Sequence, residues 1–141
     1  MKILDIEPLV ILDVYLKEIR SVLESAVPAW HSGITVKQSK DIERVQKVAV
    51  KIILSNSLTG RCDMPYDMAL VILNLEPLFV RREKLCEKFA KDTLKSRHSD
   101  IFKPNPSDYN TRNKLKYKEC KSNTLRCHNS PINYLTRILN S

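Results

Sequence analysis

Apolar residues recur along this chain at steps of three and four, the spacing that lines one face of a helix. In the first segment Leu9, Leu12, Leu16, Ile19, Leu23 and Ala26 follow that rule, while Asp13, Lys17, Arg20 and Glu24 keep to another face. An amphipathic helix over about residues 8–26 is predicted, opened by Pro8, whose fixed φ suits a first helical position, and closed by Pro28, which disfavours helical geometry at Val27. Trp30 lies just past that break. Thr35 followed by Gln38 has the form of a capping box, so a second helix starts there. Its apolar face is expected from Ile42, Val45, Val48, Ala49, Ile52 and Ile53. Asn56 and Gly60 place a turn within 55–63, and a short helix follows over about 65–73.

Pro77 opens the last long helix, expected over about 77–96 with Leu78, Leu85, Phe89 and Leu94 inward. Beyond Arg97 the periodicity fails among Pro104, Asn105, Pro106, Asn110 and Asn113, so this stretch is expected to be extended or disordered on its own. Helical spacing returns only with Ile132, Leu135, Ile138 and Leu139, behind a Ser130-Pro131 start. Glycine occurs only at Gly33 and Gly60, and period-two alternation is scarce. The expected fold is all-α: a small bundle of roughly three to four helices over 1–96, then an extended basic C-terminal tail, 97–141, ending in a short helix.

Charge sharpens this picture. The formal net charge is +8, yet residues 1–36 are net negative, with three Lys/Arg against five Asp/Glu, whereas 97–141 hold nine against three. A polyanion is therefore the expected partner, and the RNA or DNA backbone is the commonest one. Lys37, Lys40, Arg44, Lys47 and Lys51 step by three and four along the second helix, a stripe able to track phosphates. Arg81, Lys84, Lys88, Lys91 and Lys95 form a second stripe, but Glu83, Glu87 and Asp92 lie among them and invite local pairing. In the tail Arg112, Lys114, Lys116, Lys118, Lys121 and Arg126 are opposed only by Glu119, with Tyr109 and Tyr117 among them as stacking platforms for bases.

Other chemistry is sparse. Cys62, Cys86, Cys120 and Cys127 are widely spaced, which argues for free thiols. Cys120, Cys127 and His128 do not meet the spacing of a structural zinc site, so neither metal nor cofactor is expected. Cys86 reads as a core residue beside Leu85 and Phe89, and Trp30 as packing on the first two helices. No apolar run has membrane-spanning length, and Met1 to Leu12, containing Asp5 and Glu7, lacks a signal-peptide pattern. An intracellular protein, nuclear or cytoplasmic and not secreted, is expected.

Several short stretches share an order and spacing that carry a resemblance. They are Leu23-Glu24-Ser25-Ala26-Val27-Pro28-Ala29-Trp30, Asp41-Ile42-Glu43-Arg44-Val45-Gln46-Lys47, Leu73-Asn74-Leu75-Glu76-Pro77-Leu78 and Arg81-Arg82-Glu83-Lys84-Leu85-Cys86. Thr111-Arg112-Asn113, Lys116-Tyr117 and Asn129-Ser130-Pro131-Ile132 with Tyr134-Leu135 continue the series. Together they resemble the segment that follows palm and thumb in non-LTR, jockey-like, LINE-type retrotransposon reverse transcriptases. Ser25 departs from the family, which usually has tyrosine there.

The resemblance implies an RNA-directed DNA polymerase fragment that binds nucleic acid and does not catalyse by itself. Polymerases hold two Mg²⁺ ions on paired aspartates, and no Asp-Asp pair occurs here. Its implied partners are RNA or DNA and, where an intact element is expressed, the remainder of the reverse transcriptase. Two rival expectations are a helical protein-interaction module, self-associating through exposed apolar faces, and an inert relic of a retroelement.

Overall fold

The computed structural model describes residues 7–57, 64–106 and 115–141. The described chain is helical with no strand assigned, the all-α class that the periodicity implies. It divides into two compact units, one of residues 1–25 and 35–81, the other of residues 26–34 and 82–141. This division does not follow the boundary expected at residue 96: the residues beyond Arg97 belong to the same unit as 82–96.

In the first unit a continuous helical run comprises α1 (Pro8–Val14), a π-helical turn (Tyr15–Ile19) and α2 (Arg20–Glu24). Pro8 occupies the start, as expected. The inward face differs from the expected one: Tyr15 is buried, while Leu9 and Ile19 are exposed. A π turn carries an additional residue per turn, so a 3.6-residue period cannot be continued through it. The run ends where Ser25 turns extended and Ala26 adopts φ 51°, two residues ahead of Pro28. Pro28 itself sits inside the next helical turn, α3 (Val27–Trp30).

α4 (Val36–Ser57) begins with the capping box: Thr35 N donates to Gln38 Oε1 at 2.8 Å and Gln38 N to Thr35 Oγ1 at 3.3 Å. Its buried row is Gln46, Val50, Ile53 and Leu54. Val50 and Leu54 cluster with Ala69 and Leu70 of α5 (Tyr66–Ile72), flanked by Met64, Tyr66, Leu73 and Leu75. α5 ends in a Schellman motif, with Leu75 N donating to Leu70 O at 2.8 Å and Asn74 N to Val71 O at 3.1 Å. Asn74 takes the left-handed position at φ 50°, a geometry asparagine tolerates well.

Polar side chains lock this unit. Tyr15 Oη donates to Gln46 Oε1 at 2.9 Å, and Gln46 Nε2 donates to Glu76 O at 2.9 Å. Glu43 Oε1 accepts from Tyr66 Oη at 2.6 Å and from Leu78 N at 3.3 Å. Arg81 donates from Nε and Nη2 to the two carboxylate oxygens of Glu24, at 2.5 and 2.9 Å. Burial pushes the Tyr15 hydroxyl up to about 12.

α6 (Leu78–Lys95) runs across the boundary between residues 81 and 82. In the second unit its buried Cys86 and Ala90 pack with Val27, Phe102 and Leu135, and Trp30, Leu85, Leu94, Tyr117, Tyr134, Ile138 and Leu139 close around them. Trp30 packs on this cluster, and one expectation is corrected here: Phe89, expected inward, is about half exposed. α7 (Leu125–His128) is capped by Thr124, and α8 (Pro131–Asn140) by Ser130. Ser130 Oγ accepts from Asn133 N, the cap predicted from Ser130-Pro131.

The described part of the tail is ordered by backbone pairing and by α8. Asn105 N donates to Lys116 O at 3.0 Å and Lys118 N to Lys103 O at 2.9 Å, around an isolated antiparallel bridge between Pro104 and Tyr117.

Candidate nucleic-acid interface

A helix turns about 100° per residue, which divides the surface of α4 into three arcs. Gln46, Val50, Ile53 and Leu54 face the interior. Lys37, Arg44, Lys51, Lys40 and Lys47 share an outer arc of about 80°, and they span about 21 Å along the axis at 1.5 Å per residue. All five are exposed, and none takes part in an ion pair among the described residues. Lys47 Nζ sits 4.8 Å from the centre of the Tyr66 ring, which holds that ammonium by cation–π attraction while leaving it in water. The third arc is apolar and unexpectedly outward: Val45, Val48 and Ile52 are exposed.

The second unit presents its cations from an extended segment and a short helix. Lys116, Lys118, Lys121 and Arg126 are exposed and outside any ion pair among the described residues. Arg112, Lys114 and Tyr109 lie outside the described residues. In an extended chain alternate residues share a side, so Lys116 and Lys118 project together while Tyr117 turns inward. Tyr117 is therefore not the open stacking platform expected: it is half-buried, with Phe102 edge-on at 6.3 Å and Lys116 Nζ 5.6 Å from its ring centre.

Two asparagines of α8 fix that segment. Asn133 Oδ1 accepts from Cys120 N at 2.9 Å, and its Nδ2 donates to Cys120 O at 3.3 Å and Cys127 O at 3.0 Å. Asn140 Oδ1 accepts from Tyr117 N at 2.9 Å and its Nδ2 donates to Tyr117 O at 2.9 Å. Each amide thus pairs with the backbone as a neighbouring strand would. Lys103 joins the cations here, because backbone pairing sets it opposite Lys118; together with Ile101, Glu119, Cys120 and Lys121 they line a groove of about 350 Å³. The sequence reading missed Lys103, Asn133 and Asn140. The two asparagines leave a detectable signal, polar amides seven residues apart and so on one face of a helix, whereas Lys103 depends on pairing across an intervening stretch.

The second predicted stripe is mixed. Arg81 is taken by Glu24, whose hydrogen bonds raise the guanidinium pKa, and Lys91 pairs with Glu87 at 3.6 Å. That pairing follows the interleaved acids. Among the described residues no group of three His, Cys, Asp or Glu gathers to hold a metal. Cys120 and Cys127 are exposed and free, and Cys86 is buried, its thiol pushed up to about 11 by burial. No helix among the described residues is long and apolar enough to cross a membrane. Compared with known proteins, the chain matches no family model, no curated protein and no solved structure at a significant level.

Proposed function

We propose that this chain is a nucleic-acid-binding C-terminal segment of a retrotransposon RNA-directed DNA polymerase, one that lacks the catalytic palm and acts by binding alone, inside the cell. One observation carries the binding claim: nine of the predicted cations, Lys37, Lys40, Arg44, Lys47, Lys51, Lys116, Lys118, Lys121 and Arg126, are exposed and unpaired among the described residues. Cations held in water without acidic partners are available to displace counterions from a phosphate backbone. The ancestry rests on the shared motifs, and several of them coincide with structural devices: Glu43 and Gln46 hold the first unit together, and Leu73-Asn74-Leu75 ends α5.

Titration of the chain with a single-stranded RNA and a DNA duplex across salt concentrations tests the reading. Log affinity is expected to fall linearly with log salt, by roughly 0.7 to 0.9 per phosphate neutralised. Lys40→Glu with Arg44→Glu, and separately Lys116→Glu with Lys118→Glu, are expected to weaken binding and flatten that slope. Binding indifferent to salt, or none at low salt, overturns the proposal.

A further inference from the structure

The apolar arc of α4 is unaccounted for by nucleic-acid binding. Val45, Val48 and Ile52 are 41%, 51% and 53% exposed, and Ile19, itself 42% exposed, joins them. With Ala49, Asp41 and Arg44 they line a groove of about 360 Å³ within the first unit. The row is straight, since residues 45, 48 and 52 fall within an arc of about 60°. Along one border run Lys37, Arg44 and Lys51, the members of the cationic stripe nearest to it. The surface thus pairs an apolar groove with a single positive edge, and Asp41 is the one acid in its lining.

We propose that this groove docks an amphipathic helix of a partner protein, one whose apolar ridge is bordered by Glu or Asp on the side that meets Arg44 and Lys51. Charge decides among occupants. Pairing of α4 with its own copy in antiparallel fashion sets Arg44 and Lys51 against the same residues of the second chain. Parallel pairing sets them beside the Ala49 border, which carries no neutralising acid. Like charges across an interface cost affinity, whereas an acidic edge gains both steering and register. A lipid surface is met best by a convex apolar ridge with cations on its flanks, whereas here the apolar residues line a concavity that also holds Asp41. Helix-in-groove recognition through residues at i, i+3 or i+4, and i+7 uses this geometry.

The inference does not rest on nucleic-acid binding, and both the peptide comparison and the serine variant that test it leave every cation in place. A fluorescent peptide of about 16 residues, long enough to cover the row, carries leucines at helical spacing with glutamates along one edge; its twin carries lysines at those positions. The full chain is expected to bind the glutamate peptide about tenfold or more tightly than the lysine twin. Val48→Ser with Ile52→Ser is expected to weaken that binding about tenfold while helicity and RNA affinity stay unchanged. Arg44→Glu with Lys51→Glu is expected to reverse the preference between peptides. Equal affinity for the two peptides, or no effect of the serine variant, overturns the proposal. So does a concentration-dependent dimer, or binding to phosphatidylserine vesicles, that the serine variant abolishes, because either shows a different occupant.

Discussion

Asn133 and Asn140 stand seven residues apart on α8 and grip Cys120 and Tyr117, three residues apart on the extended segment, in opposite chain order. The two intervals match in length. Seven helical residues rise about 10.5 Å, and three extended residues span about 10 Å. One face of the helix can therefore hold an antiparallel strand-like segment at both points without bending either. This correspondence orders Leu115–Lys121 and so determines that Lys116 and Lys118 face solvent together.

Asn133 is about 1% exposed and satisfies three backbone groups. Asn133→Ala is expected to cost about 2–3 kcal/mol, the penalty for stranding buried backbone partners, and Asn140→Ala, at a half-buried site, about 1–2 kcal/mol. Hydrogen exchange is the sharper measurement: the Cys120 amide should lose protection in the first variant and the Tyr117 amide in the second. Asn133→Asp keeps the acceptor but turns an oxygen towards two carbonyls, so it should be no better tolerated than alanine.

Gln46 bridges Tyr15 and the Glu76 carbonyl from the middle of α4. Gln46→Leu keeps bulk yet strands both partners, for an expected loss of about 2–3 kcal/mol, against about 1 kcal/mol for Tyr15→Phe. The double variant should lose less than the sum, which chemical denaturation of the four species measures as a coupling energy. Because burial raises Tyr15 from 10.0 to about 12, its neutral form contributes stability up to pH 10. The unfolded chain gives up that proton first, so this contribution declines as pH rises from 10 towards 12. Tyr15→Phe should remove that part of the alkaline decline.

Thiol chemistry separates the cysteines. Cys120 and Cys127 are exposed, whereas Cys86 is fully buried with its pKa raised to about 11, so almost none of it is thiolate at neutral pH. Iodoacetamide labelling read peptide by peptide should modify Cys120 and Cys127 within the time that leaves Cys86 intact. Denaturant should make all three react alike. Rapid labelling of Cys86 in the native protein would contradict the packing of α6.

His31 meets Tyr134 edge-on at 5.5 Å, and its Nδ1 is buried without a hydrogen-bond partner among the described residues. Burial first, and the nearby Arg82 second, lower its pKa below 6.5. The unfolded chain therefore binds the proton more readily, and stability is lost as pH falls from 6.5 through the folded value. Denaturation midpoints measured stepwise below neutrality should drop, and His31→Phe, which keeps the aromatic contact, should flatten the profile. An unchanged profile would show that His31 titrates freely in the folded state.

Local signals in the sequence carried a definite part of this protein. The Thr35–Gln38 box, the Ser130 cap and the proline starts were legible because each is satisfied by residues within one helical turn. So was the helical class, since period-three and period-four spacing is a property of the strand of residues itself. Cys86 is buried as expected, although Phe89, one of the two neighbours that suggested it, is about half exposed. The inward row of α4 was legible only at Ile53, which is buried as expected: Val45, Val48 and Ile52 are as apolar as Val50 and Leu54, and nothing local ranks one arc above the other. Only the partners across the first unit, Tyr15 and the α5 residues Ala69 and Leu70, drew Gln46 and Val50 inward and left an equally apolar arc in water. The same reason separates the exposed cations from their placement. Their spacing along α4 is written in the chain, but Lys103 stands beside Lys118, and Lys116 faces outward, because backbone pairing and two asparagine amides act between residues far apart in sequence.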